Sequence, residues 1–136
     1  MPLPMAGGCA CGTVRYEVTE DPVLVLNCHC RDCQHFSGTA YASGMLVPVA
    51  GFRFTKGTPR HHRSVADSGH TVERGFCAEC GSPVAAHEVG GPAVWVYAAS
   101  LDDPSAHRPT MDVWTSSAQP WDVMDPSLPK YPKGLV

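Results

Sequence analysis

The sequence predicts a mainly β protein, and three observations carry that reading. Glycine and proline number 13 each in 136 residues, a load that interrupts long helices and supplies the turns between short strands. The apolar residues come in brief runs, some alternating with polar neighbours, which is the period of a half-buried strand. No stretch calls for a helix longer than about three turns. A single domain over residues 1–136 suits this length, and a core of that size does not need cysteines merely to rescue folding.

The elements follow in order. "TVRYEV" (13–18) sets Val14, Tyr16 and Val18 against polar neighbours and reads as a half-buried strand. "PVLVLNC" (22–28) reads as a second strand running into a cysteine triplet. "CRDCQHFSGTAYA" has room for one short helical turn, ended near Gly38. "YASGMLVPV" and "FRFTKG" (52–57) are further strands, and the polar "GTPRHHRSVADSGH" (57–70) is a loop or hairpin connection. "HTVERGFC" leads into the last cysteine pair. The best hairpin is "SPVAAHEVGGPAVWVYAAS" (82–100), two apolar runs around Gly90-Gly91. The tail from Leu101 holds six of the 13 prolines, one expected strand near Met111 to Ser116, and Trp114 and Trp121 as anchors onto the body.

Composition excludes several classes of function. The formal net charge is −3, with none of the basic stripe of a nucleic-acid binder. The N-terminal "MPLPMAGGCACG" lacks a basic n-region and an apolar h-region. The longest apolar runs, "VLVL" and "AVWVYAA", fall far short of the ~20 residues of a membrane span. The expected compartment is cytoplasmic. There, seven cysteines point to metal or catalysis before disulfides.

Those seven fall into three groups: Cys9-x-Cys11, Cys28-His29-Cys30-x-x-Cys33, and Cys77-x-x-Cys80. Short spacings with flanking glycines suit thiolates converging on one ion. A closed structural zinc site takes four protein ligands, whereas a catalytic one often takes three and leaves a position open. One partition satisfies both rules. Cys9, Cys11, Cys77 and Cys80 make a closed four-cysteine site, and Cys28, Cys30 and Cys33 make an open three-cysteine site, two Zn2+ in all. For Cys77 and Cys80 the rival is a redox dithiol, but no βαβ pattern flanks them. For the triplet the rivals are a fourth ligand borrowed from His29, His35 or another cysteine, or free thiols or a disulfide.

The stretches "GGCACGTVRYEV", "NCHCRDCQHFSGTAYA", "RGFCAECGSPV" and "LDDP", followed by a tail rich in proline and tryptophan, resemble the glutathione-dependent formaldehyde-activating enzyme family. Centromere protein V is a eukaryotic relative. The resemblance runs from Gly7 to about Tyr131. It implies a β-tent, several small coiled antiparallel sheets organised around zinc. By position it makes Cys9, Cys11, Cys77 and Cys80 structural ligands, and Cys28, Cys30 and Cys33 catalytic ones. The activity it implies joins a thiol such as glutathione to formaldehyde, giving S-hydroxymethylglutathione, and is classed as a carbon–sulfur lyase. Many members read Pro-x-x-His in the tail; this chain has Pro109-Thr110-Met111-Asp112, a carboxylate at that place.

The chemistry expected is zinc-dependent, with small-molecule thiol and aldehyde as partners. A zinc held by three thiolates is a poor activator of water. It can instead hold a substrate thiolate, lowering the thiol pKa from ~8.5, or polarise an aldehyde carbonyl. His29 and His35 are the local candidates for proton transfer, because imidazole both accepts and donates near neutral pH. The competing reading of His29 is a side chain turned away between two ligands. Arg31 is either a clamp for a substrate carboxylate or a solvated loop charge. His61, His62 and His70 read as solvated, and Trp95 as a sheet anchor. No nucleic-acid or membrane partner is expected. Exposed strand edges leave a homodimer open.

Overall fold

The strands that the alternation predicts pair into two sheets in a computed structural model, which describes residues 2–135. Strands β1 (Met5–Gly8), β2 (Arg15–Val18) and β5 (Phe52–Lys56) make an antiparallel sheet in the order β1-β2-β5. The other strands are β3 (Leu24–Cys28), β4 (Ala42–Pro48), β6 (Arg60–Val65), β7 (Thr71–Phe76), β8 (Pro83–Glu88), β9 (Ala93–Tyr97) and β10 (Asp112–Val113). They make a seven-stranded sheet in the order β10-β3-β4-β9-β8-β7-β6. It is antiparallel except where β10 runs parallel to β3. One α-helix, α1 (Arg31–Ser37), follows β3. The mainly β expectation holds, with two sheets and one parallel pair. No helix among the described residues is long and apolar enough to cross a membrane.

The alternation of β2 decides which side faces inward. Tyr16 and Val18 are fully buried, and with Val14 they meet Met45, Val47, Val84 and Val96 of the large sheet. Side chains of this size contribute roughly 1.5–3 kcal/mol each when withdrawn from water. Cys9 and Cys77 belong to this same cluster. A second cluster, on the other side of the large sheet, gathers Cys30, Cys33, Ala42, Ala86 and Tyr97, with Phe36, Val72, Trp95 and Trp114 packed against it. Each cysteine group therefore sits against its own body of apolar side chains.

The local expectations map closely onto these elements. The 82–100 hairpin is β8 and β9, with Ala86 opposite Trp95. Its turn closes with Gly91 N–H donating to Glu88 O at 2.8 Å, and Gly90 takes a φ of 78°. The polar stretch 57–70 contains a full strand, β6, paired along its length with β7. It is an edge strand, exposed at nearly every residue, so no buried face imposes an alternation. The tail strand is only two residues long, Asp112–Val113. Trp95 and Trp114 anchor as expected, but Trp121 is 67% exposed and anchors nothing. The tail is held there by its neighbour Asp122 instead.

Candidate metal centres

Cys9, Cys11, Cys77 and Cys80 come together from two loops, their four sulfurs all within 4.8 Å of one another. Cys9 Sγ lies 3.7 Å from Cys11 Sγ, and Cys11 Sγ lies 3.8 Å from Cys77 Sγ. A tetrahedron with metal–sulfur distances of about 2.3 Å has edges of about 3.8 Å, so this donor set fits a four-thiolate ion. Backbone amides turn toward the sulfurs: Val14 N–H donates to Cys9 Sγ at 3.2 Å and Glu79 N–H to Cys77 Sγ at 3.4 Å. The knuckle after Cys77 closes with Gly81 N–H donating to Cys77 O at 2.8 Å, and Gly81 takes a φ of 75°, which favours glycine. Hydrogen bonds from Ser82 pull the Cys80 thiol down to about 5. Ser82 Oγ also accepts from Ala10 N–H at 3.1 Å, tying the two loops directly.

The sulfurs of Cys28, Cys30 and Cys33 likewise lie within 4.8 Å of one another. The local fold explains the convergence. Cys28 is the last residue of β3, and Cys30 is the N-cap of α1, with its sulfur accepting from Cys33 N–H at 3.3 Å. Cys33 lies in the first turn of the helix. Gly38 ends α1 in the left-handed region, at a φ of 74°. The thiols share hydrogen bonds unequally. Bonds from Cys28 and Cys33 hold Cys30 well below the usual thiol range, while its bonds to Cys30 and Cys33 and its burial push Cys28 up. The donor set suits a thiophilic cation with three protein ligands.

The two candidate proton carriers differ sharply in burial. His29 is fully buried. Its Nε2 lies 2.8 Å from Asp112 Oδ1, and its Nδ1 lies 2.7 Å from Asp122 Oδ2, the latter out of line for a straight hydrogen bond. Both ring nitrogens thus face tail carboxylates, with Nε2 hydrogen-bonded and Nδ1 in ion-pair distance only. His35 is exposed and lies 3.2 Å from Arg31 Nη2. Two residues beyond Cys33 on a helix is about 200° around the axis, so it faces away from the sulfurs. Arg31 is a surface charge over this helix, bonded to Gln34. His61, His62 and His70 are exposed, as expected.

The sequence marked Asp112 as a departure from the family pattern, but the partners of Asp112 and the roles of Asn27, Gln34 and Lys130 carried no signal there. Asp112 is 1% exposed and also receives Asn27 Nδ2 at 3.2 Å and Lys130 Nζ at 2.8 Å. Gln34, buried in α1, donates to His29 O at 2.7 Å and Ser117 O at 3.0 Å, and accepts from Gln119. Together these bonds strap residues 110–133 across the cysteine triplet. Burial pushes the Asp112 carboxyl up, but hydrogen bonds from Lys130, His29 and Asn27 outweigh it, leaving it below the usual carboxylate range. A carboxylate depressed on folding stabilises above its unfolded pKa of ~3.9, and that stabilisation is lost as pH falls through the lower folded value. Asp112→Asn is therefore expected to cost roughly 3 kcal/mol at neutral pH. In thermal melts recorded as a pH series, the gap to the wild type should close below about pH 4. A gap that stays constant with pH would contradict the ionised pairing.

An open cavity of about 830 Å³ lies beside the four-cysteine group, with Cys9 in its lining. It reaches Cys9, Ala10 and Ser82 at one end and Ser37, Ala42 and Tyr97 at the other. Ala42 and Tyr97 pack directly with Cys30 and Cys33, and Ala42 is the cross-strand partner of Cys28. The cavity is large enough for a small organic molecule, and Ala42 and Tyr97 stand between it and the triplet, whose cysteines are not in its lining.

Comparison with known proteins agrees with this architecture. A family model described as glutathione-dependent formaldehyde-activating enzyme matches residues 4–117. A crystal structure of a Rhodobacter sphaeroides protein, solved as a Northeast Structural Genomics target, matches with a TM-score of 0.58 at 17% identity. The match covers 93% of this chain and 99% of that one, and at that identity it speaks for the fold alone.

Proposed function

Because the chain belongs to the glutathione-dependent formaldehyde-activating enzyme family, we propose that it is a zinc-dependent carbon–sulfur lyase. It makes and breaks the bond between a thiol, such as glutathione, and a small aldehyde, such as formaldehyde. The single observation that carries this reading is the pairing of a complete four-cysteine group with a separate three-cysteine group. The first has every ligand a closed zinc needs; the second has one fewer.

Cys9, Cys11, Cys77 and Cys80 would hold one zinc as a structural tie. Cys28, Cys30 and Cys33 would hold the other, which when bound supplies a fourth position for a sulfur or oxygen ligand and lowers the pKa of a thiol. In the reaction the thiolate sulfur attacks the aldehyde carbon, forming the C–S bond. The carbonyl π pair moves to oxygen, which takes a proton to give the hydroxymethyl thioether. The reverse reaction returns that proton and expels the thiolate. Solvent serves as the proton's source and sink, since the His29 ring faces Asp112 and Asp122 and His35 is exposed on α1. The residues around the triplet orient the sulfur ligands: Cys30 caps the helix, Gln34 and the tail carboxylates fix the Cys28–Cys30 bend, and Ala42 and Tyr97 present an apolar wall.

The test combines a metal count with a substrate panel. The purified chain should hold two zinc ions, and low-molecular-weight thiols mixed with aldehydes should show accelerated adduct formation or breakdown. Two zincs with no turnover on any pair would favour a binding module of the same fold over a lyase.

A further inference from the structure

Arg74, in the interior of β7, is 6% exposed. A guanidinium stays ionised in a protein, and burying it is costly unless an anion faces it. The other arginines in ion pairs follow this rule at the surface: Arg15 with Asp102, Arg53 with Glu17, Arg63 with Glu73. Among the described residues, no carboxylate lies within ion-pair distance of Arg74. Its Nη1 donates to a neutral hydroxyl, Ser64 Oγ, at 3.2 Å.

The sheet register shows what faces it. Arg74 is opposite Ala86 on β8, and Ala86 is opposite Trp95 on β9. Ala86, Trp95 and Val72, which is two residues before Arg74, all belong to the cluster that packs Cys30, Cys33 and Tyr97. The guanidinium thus stands on the sheet face that carries the cysteine triplet.

We propose that Arg74 is the fixed countercharge of the three-cysteine site and selects an anionic fourth ligand there over a neutral one. The inference rests on the reading that the triplet holds a divalent metal. Three thiolates around a divalent cation leave one net negative charge, which the guanidinium balances. A thiolate arriving as fourth ligand then brings the whole to one negative charge instead of two. A neutral ligand gains nothing from the arginine. Arg74 is a positioning residue in this role, since it acts through the field it sets at the sulfurs.

The experiment uses the full chain loaded with Co2+, whose absorption reports ligands at the triplet. Wild type, Arg74→Lys, Arg74→Met and Ser64→Ala are compared. Metal affinity is read by competition with a chelator, and the spectrum is titrated separately with 2-mercaptoethanol and with imidazole. Arg74→Met is expected to weaken thiol binding by at least about tenfold and imidazole binding by less than about threefold. Arg74→Lys should recover most of the loss. Ser64→Ala removes one hydrogen bond from the guanidinium and should move thiol affinity the same way by a smaller factor; this milder change keeps the test available if Arg74→Met folds poorly. Equal losses for thiol and imidazole, equal damage by lysine and methionine, or an unchanged Arg74→Met would each overturn the proposal. A wild-type chain that binds metal at the four-cysteine group alone would instead overturn the functional reading beneath it.

Discussion

Replacing Cys30 with serine is expected to abolish turnover, by at least about 100-fold in kcat/KM, while moving the thermal midpoint by only a few degrees. The asymmetry follows from the two tasks of that side chain. As the N-cap of α1, its sulfur accepts the Cys33 amide, and serine is among the best residues for that task. As one of only three sulfurs in its group, it leaves no spare donor when removed. The zinc count should fall from two to one, since the four-cysteine group lies in a different part of the core. Retained activity with one zinc would place the chemistry away from the triplet, and a collapse of the melt would make the triplet a structural site.

Cys9→Ser should behave in the opposite way. Cys9 is buried with Val14, Tyr16, Val84 and Leu101, where the small sheet meets the large one. Its group joins the loop after β1 to the loop after β7, positions 66 residues apart between Cys11 and Cys77. A bound ion therefore closes a long loop as well as adding bonds, and folding free energy and metal binding become one quantity. The expected result is a fall in thermal midpoint of roughly 10 °C or more, with loss of one zinc. Cys80→Ser should do the same, although Cys80 is exposed, because the tetrahedron needs all four corners. Strong chelators should reproduce the loss of stability in the wild type. Differential scanning calorimetry with metal analysis on the same samples checks both; a Cys9→Ser protein that melts like the wild type would make this site dispensable.

The site was more legible in the sequence than the surroundings that hold it. Sulfur spacing grouped the cysteines as two, three and two, and coordination number suggested the partition into four and three; only the triplet is local, since the four-cysteine group joins loops 66 residues apart. Tyr16 and Val18 were equally readable, since one buried face forces alternation. Strand β6 was not, because an edge strand wet on both faces has no reason to alternate. Nothing near His29 foretold its partners, which lie 83 and 93 residues further along, at Asp112 and Asp122. Arg74 was silent for a related reason. A charged residue in an amphipathic strand reads as solvated until the sheet register puts it on the face that packs the cysteine triplet.

The strap of residues 110–133 has a thermodynamic consequence. It grips His29, which lies between two cysteines of the triplet, so the occupancy of that triplet and the docking of the strap are coupled equilibria. Such coupling is symmetric: the factor by which a bound ion tightens the strap equals the factor by which a docked strap tightens the ion. Any process that peels the C-terminal segment away, whether acid, proteolysis or a competing surface, then acts as an allosteric effector that weakens the metal's hold, at a distance from the sulfurs themselves.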